Sequence, residues 1–318
     1  MGEKRIGEAG FAEAFMAPGV GSNRRLERID ALVSWERLER LLAPTRSRLG
    51  SKGYPALSLF KALVLQQWHN LSDPGLEEAL QDRLSFRRFC GFSLSDATPD
   101  ETTFVRFRQA LASRDLSASL FAEINRQLDA RGLMVRRGTL IDATLVEAQV
   151  SRPAGRSGEG SPTDPEATWT RRGRQGYFGY KAHVAVDEGS SLIRGAELTT
   201  AKVSDGAVAD RLIQGDERAV YADRAYDDKA RRRRLKAAGI KDRIMHRANK
   251  HHPVLPRWPR RRNQLIAPIR SAVERNFGTL KRSYGYRRVR YRGLERNRSH
   301  LFLLCIAVNL RRADVLTA

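Results

Sequence analysis

After Gly138 the chain changes hydrophobic period, and that change limits the folds open to it. TLIDATLV (139–146) is a short β-rich run. FGYKAHVAVDE (178–188) places Tyr180, Ala182, Val184 and Val186 on one alternating face, and SLIRGAELTT (191–200) follows a Gly-Ser turn. Helical and extended runs then alternate: VSDGAVADRLIQ as a helix, RAVYAD as a strand, DDKARRRRLKAAG as a very basic helix and DRIMH as a strand. APIRSAVERNFGTLK (267–281) closes the series as an amphipathic helix with Val273, Phe277 and Leu280 toward a core. Three strands, helix, strand, helix, strand, helix predicts an α/β domain with a mixed sheet and flanking helices. The stretch 152–176, rich in Gly, Ser, Pro and Arg, is expected to be a long surface loop within it.

Residues 1–24 read as a loose tail and 25–135 as an all-helical domain. SNRRLERIDALVSWERLERLLAP forms a helix or helix pair ending near Pro44, and LSLFKALVLQQWHNLSD is a strongly apolar helix stopped at Pro74-Gly75. GLEEALQDRLSFRRFCGF ends on Gly91 as a C-cap. DATPDETTFVRFRQAL and LSASLFAEINRQLDARG complete a set of five or six helices. Arg83, Arg87, Arg88, Arg106 and Arg108 near helix ends would suit phosphate contacts as well as ordinary surface charge.

With 58 Lys and Arg against 36 Asp and Glu the formal charge is +22, and the pI is near 10.9. Such an excess points to a polyanionic partner, nucleic acid first. An anionic membrane is second, but no long basic amphipathic helix carries the Trp and Leu face it would need. The longest apolar run, 301–308, is far short of the roughly 20 residues of a bilayer span. The first residues carry acids and no continuous apolar stretch, so no signal peptide is indicated. Cys90 and Cys305 stand alone, which suits buried thiols in a reducing cytosol better than a disulfide or zinc site.

Three acids fall on compatible elements: Asp142 on the first strand, Asp223 on the fourth, Glu274 on the last helix. The element order is that of the ribonuclease-H-like fold, whose central first strand lies beside the fourth, so these acids would meet. Three oxygen ligands on a rigid frame suit Mg²⁺, which keeps waters and takes one or two protein carboxylates plus substrate phosphate. Two such ions about 3.5–4 Å apart clamp the attacking and leaving oxygens of a phosphoryl displacement. Asp142 would bridge both ions, with Asp223 and Glu274 completing one site each. His246, His251 and His252, in a basic Pro-rich loop, read as solvated or phosphate-contacting histidines rather than ligands. Asp205, Asp227 and Asp228 read as caps, and Asp187 as a turn residue.

LIDATLVEA around Asp142, GYKAHVAVD at 179–187, YADRAYD around Asp223, and Arg270, Glu274 and Lys281 in RSAVERNFGTLKR resemble the blocks of a DDE transposase of a bacterial insertion sequence, in the group named after insertion sequence five. Ala225 and Tyr226 stand where that family carries a small residue and an aromatic after its second aspartate. Ala267 is a departure, since the family usually has Tyr there. LSFRRFCGF and PDETTFVRFR extend the resemblance into the helical part, so that it covers about 30–312.

The resemblance implies an all-helical domain for DNA binding and dimerisation, followed by a ribonuclease-H-like catalytic domain over 136–318. It implies a two-ion Mg²⁺ or Mn²⁺ centre at Asp142, Asp223 and Glu274. Water would hydrolyse a phosphodiester at the transposon end, and the freed 3′ hydroxyl would attack target DNA. The partners implied are double-stranded DNA, as terminal inverted repeats and target, and a second copy of the chain, in the bacterial cytoplasm at the nucleoid. Arg270 and Lys281 would grip the DNA backbone, and Lys181 and His183 could face the same groove. Arg231 and Arg232 of RRRR, and Arg260, Arg261 and Arg262 of RWPRRR, would add non-specific phosphate affinity, as would Arg106 and Arg108. A DNA-binding regulator that no longer cuts is argued against by the presence of all three acids. A nuclease without strand transfer fits the Arg-Glu-Lys helix and the helical domain less well.

Overall fold

The computed structural model describes residues 3–17, 19–45, 52–151, 161–248 and 253–318. They divide into two compact units, Met1–Arg131 with Phe302–Ala318, and Gly132–Leu301. His251 and His252 lie outside the described residues, as do 152–160.

The first unit is helical: α1 (Phe11–Ala14), α2 (Arg24–Leu32), α3 (Trp35–Leu42), α4 (Ala56–His69), α5 (Asp73–Asp82), α6 (Leu84–Cys90), α7 (Glu101–Ser113) and α8 (Leu116–Ala130). α4 is apolar on nearly every side and buries Leu59, Phe60, Leu63, Val64, Leu65 and Trp68, which makes it the central helix. Asn23, Ser72 and Asp100 cap their helices through side-chain oxygens. Gly91 closes α6 at φ 81°, in the left-handed conformation expected of it. The run expected as one helix around Leu84 is two, because Arg83 is extended between α5 and α6; Leu80 and Phe86 both reach the core across that break.

The last helix, α12 (Leu294–Thr317), belongs to this unit from Phe302 on. The two units thus part within α12, inside the 136–318 segment expected from the sequence as one domain. Leu303, Leu304, Cys305, Ile306 and Leu310 need burial, and α-helical neighbours supply it. Phe302 stacks near Phe121 at 5.6 Å, Trp68 Nε1 donates to the Ala307 carbonyl at 2.7 Å, and Asp314 receives Arg28 at 2.6 Å. Cys90 and Cys305 are free and buried, and burial pushes both thiols well above the usual range. No described helix is long and apolar enough to cross a membrane.

The second unit is built on a six-stranded mixed sheet of β1 (Thr139–Glu147), β2 (Thr168–Arg172), β3 (Gln175–Asp187), β4 (Ile193–Thr200), β5 (Ala219–Ala222) and β6 (Lys241–Ile244). β3 pairs antiparallel with β1 and with β4, while β1, β5 and β6 run parallel. β1 is thus central with β5 at its side, the order expected. α9 (Asp205–Leu212) and α10 (Lys229–Ala237) cover one face, where Ile141, Ala185, Val208, Leu212, Val220, Tyr226, Leu235 and Ile244 form the core. Neighbouring residues of a strand point to opposite faces. With Ile141 on the α9 side, Asp142 turns to the other face, where α11 (Arg257–Ser283) packs on β1 and β5.

Two expectations for this unit change. The stretch 152–176 contains β2, paired to the start of β3 through a two-residue hairpin loop in which Gly173 sits at φ 62°. Its Arg-rich sequence hides a strand held by backbone pairing. α11 also begins ten residues earlier than its apolar pattern, so RWPRRR forms its first turns. Pro259 is tolerated there because the first-turn N–H groups have no intrahelical acceptor.

Candidate active site

The parallel register of β1 and β5 sets Thr139 opposite Val220 and Leu140 opposite Tyr221. Carried two residues further, one past the end of β5, it would bring Asp142 level with Asp223. Asp223 follows the last residue of β5 and caps the 3-10 turn Arg224–Tyr226, accepting from Ala225 N at 2.7 Å. α11 supplies Arg270 and Glu274 from successive turns above β1.

Asp142 is 14% exposed, and its Oδ2 accepts from Arg270 Nη2 at 2.8 Å. Oδ1 accepts from Ala143 N at 2.9 Å. The same guanidinium lies 3.8 Å from Glu274 Oε1, on a side chain that is 63% exposed. Burial holds the Asp142 carboxyl above the ordinary carboxylate range, with Arg270 pulling the other way and Asp223 adding to the rise. Burial of Arg270 would favour loss of its charge, but Asp142, Asp223 and Glu274 together keep it positive. One cation therefore serves three acids, and its Nε finds no hydrogen-bond acceptor among the described residues.

Among the described residues no three His, Cys, Asp or Glu side chains stand ready to enclose a metal ion. The Arg270 guanidinium lies between Asp142 and Glu274. The donor set itself suits a hard divalent ion, being all carboxylate oxygen on rigid elements.

Residues 134–310 match the family model described as Transposase DDE domain, and residues 18–110 match that described as Transposase domain (DUF772). The chain belongs to the DDE transposases. No solved structure matches it. The ribonuclease-H-like architecture expected for the transposase is therefore stated by family and by sheet order alike, and DDE domains work with divalent metal.

Several cations of the transposase expected at DNA are engaged inside the protein. His183 is fully buried, bonded to Thr199 Oγ1 at 3.0 Å, and burial pushes it down to about 4. β3 has neighbours on both faces, so the alternation seen in its sequence does not leave one side open. Lys181 binds Asp205 at 2.8 Å and the Val203 carbonyl at 2.7 Å. Arg231, 5% exposed, reaches Asp210 at 2.9 Å and the Tyr226 carbonyl at 2.7 Å. Arg232 pairs with Asp227 and Asp242. Arg262 donates to the carbonyls of Ile244 and Asp242, and Arg108 pairs with Asp73. Each of these is a structural cation, because a buried charge needs a partner and has one.

Arg106, Arg260 and Arg261 remain at the surface. Lys281 is half-buried seven residues beyond Glu274; burial and the nearby Arg172 and Arg287 hold it below the usual lysine range, with Glu147 opposing. Arg172, on β2 within the stretch read as a loop, is one of the charges that act on Lys281. Asp228 caps α10 and Asp187 ties its turn through Ser190 Oγ, both as expected. His246, whose burial lowers its proton affinity, lies against Trp258 at 5.9 Å.

Proposed function

We propose that the transposase cleaves DNA at the ends of its own mobile element and joins them to target DNA, at the centre formed by Asp142, Asp223 and Glu274. What supports this is the parallel register of β1 and β5, Leu140 beside Tyr221, which carried two residues on would set Asp142 by Asp223, together with the ion pairs of Arg270 with Asp142 and Glu274. Mg²⁺ or Mn²⁺ held by these three carboxylates would supply charge neutralisation at the scissile phosphate and lower the proton affinity of a bound water.

The chain's own groups do the rest. Arg270 has to leave Asp142 for the site to load, and a backbone phosphate is the anion that would draw it off; bidentate phosphate recognition is what a guanidinium does best. Lys281 with Arg172 and Arg287 would hold the backbone beyond the scissile bond, and Arg260 and Arg261 the flanking duplex. Arg106 and the helical unit, with its match to a transposase domain, would contact DNA and a second copy of the chain. Joining two ends needs two active sites, which is the reason for expecting a homodimer. Placement in the insertion-sequence-five group rests on the blocks around Asp142, Asp223 and Glu274.

The test is a labelled duplex from the DNA flanking the gene, incubated with protein, Mg²⁺ and a target plasmid. Nicking at a defined end followed by covalent joining supports the proposal. Nicking without joined product would make the protein a nuclease, and tight binding without nicking would make it a DNA-binding regulator.

A further inference from the structure

Past the body of the sheet, β2 and β3 continue alone. Gly179 to Asp187 of β3 pair with β1 and Tyr180 to Val186 with β4, whereas Gln175 to Phe178 pair only with β2. The sheet therefore ends in a two-stranded ribbon turned by Gly173 and Arg174, and residues 171–176 are all exposed. Its sequence, TWTRRGRQGYF (168–178), holds three arginines and no acid. Among the described residues no ion pair engages any of the three. Charge on an edge strand wards off pairing with other sheets, which accounts for Arg171 and Arg172 but not for Arg174 in the turn.

A two-stranded ribbon is marginal by itself, and this one is anchored at its base. The Phe178 carbonyl accepts from Ala148 N at 2.9 Å, and Thr168 Oγ1 from Lys202 N at 3.1 Å. Just before β2, the fully buried Asp164 accepts from Tyr180 Oη at 2.6 Å and from Gly293 N at 3.1 Å, and Glu166 accepts from Leu294 N at 2.7 Å. A Cβ at Gly176 would stand 2.9 Å from Trp169 Nε1, so the glycine lets the indole close over the facing strand. The ribbon also points along the line of the candidate site. Val184 lies beside Asp142 and Gly179 beside Glu147, so the ribbon continues off the Glu147 end of β1. α11 runs the same way: Arg270 meets Asp142, and the Arg287 carbonyl just past the helix accepts from Glu147 N at 3.0 Å. Lys281, about 16 Å along the helix from Arg270, stands toward the ribbon. Gln175 is nine residues from Val184 along β3, at most about 30 Å, the length of about nine base pairs.

We propose that ribbon 168–178 is a DNA-reading arm that enters the major groove of the element end, within about nine base pairs of the scissile phosphate. That groove, about 12 Å wide, admits a two-stranded ribbon. Successive residues of a strand face opposite ways, so Arg171 and Arg172 meet the phosphates of the two walls while Arg174 and Gln175 at the tip meet base edges. Arginine takes guanine O6 and N7, and glutamine takes adenine N6 and N7. Tyr177 Oη donates to Gln175 Oε1 at 2.8 Å, which holds the amide in place. The proposal rests on the reading of the chain as a transposase acting on the ends of its own element.

The test uses full-length protein and three duplexes: the element end, the same end altered only at about 6–10 base pairs from the cut, and the same end with 7-deazapurines there, which lack the N7 acceptors of the major groove. Affinity, its salt dependence and Tm are measured for wild type, for Arg174→Ala with Gln175→Ala, and for Arg171→Ala with Arg172→Ala. Wild type is expected to prefer the intact end over both others. The tip variant should lose at least about 5-fold of that preference, and the wall variant should keep it while its slope of log K against log salt falls by about 2. Both should melt with wild type. A tip variant with wild-type preference, a wild type indifferent to 7-deazapurines, or an unchanged slope in the wall variant would overturn the proposal. Cleavage of the element end by wild type, followed alongside, separates the readings. If the end is cut and the tip variant keeps its preference, only the arm fails; if the end is neither cut nor preferred, the transposase reading of this DNA fails and the arm with it.

Discussion

Arg270→Gln removes the cation paired with Asp142 and Glu274, and the consequence is worked from the Asp142 pair. Both side chains are mostly buried, at 17% and 14% exposure, and the bond is 2.8 Å. Stripping one partner from a buried pair costs about 3–5 kcal/mol, because the other charge is left unpaired. Asp142 is already biased toward its protonated form by burial, so it would take up a proton rather than stay charged and bare, which limits the cost to about 2–3 kcal/mol. In a unit of this size that lowers Tm by about 4–12 °C. Glutamine keeps much of the volume, so the loss is electrostatic. Thermal melts in EDTA and in millimolar MgCl₂ read it. The deficit is expected in EDTA and should shrink with Mg²⁺, since the ion takes the place Arg270 left. Adding Asp142→Asn to the variant should recover part of the EDTA deficit, because the two changes act on one contact. A variant that melts with wild type in EDTA, or a deficit that Mg²⁺ leaves untouched, would refute the idea that Arg270 stands in for the metal.

The other predictions separate structural cations from DNA-binding ones. Arg231→Ala should destabilise the sheet unit by about 3 kcal/mol and leave the salt dependence of DNA binding unchanged; equilibrium unfolding and binding titrations read the two effects. Arg260→Ala and Arg261→Ala should do the reverse, each reducing the slope of log K against log salt by about 1 with no change in Tm. Lys281→Ala should slow cleavage through substrate placement, and unchanged turnover with unchanged salt dependence would reduce Lys281 to a surface residue. His183 is held neutral down to about 4. Its contribution is therefore complete above about pH 6.5 and is lost as pH falls from there toward 4, on the order of 3 kcal/mol in all. His183→Gln should flatten that part of the stability profile, and an unaltered profile would mean that another group controls it.

How much of this was legible depends on what each signal measures. Strand and helix order, and with it the pairing of β1 with β5, follows from hydrophobic period, so the runs carrying Asp142 and Asp223 could be set side by side from the sequence. The helix that carries Glu274 followed from its apolar spacing. Charge was the misleading signal. RRRR reads as one basic face, yet Arg231 and Arg232 turn inward to Asp210, Asp227 and Asp242, because acids distant in sequence arrive as partners only after folding. Arg108 and Lys181 repeat the lesson with Asp73 and Asp205. His183 was lost to a central strand covered on both faces. β2 escaped because Arg171 and Arg172 mask a pairing made by backbone alone. The apolar run of α12 says that it is buried, not by whom.

The central claim is that Asp142, Asp223 and Glu274 act as one metal-dependent centre on DNA. The most direct measurement is single-turnover cleavage of the labelled element end by Asp142→Asn, Asp223→Asn and Glu274→Gln, alone and combined, with DNA binding followed in parallel. The account predicts that each change alone abolishes cleavage, that combining them loses nothing further, and that binding persists, since groups working as a unit fail together. Cleavage within tenfold of wild type in any one of the three would contradict it.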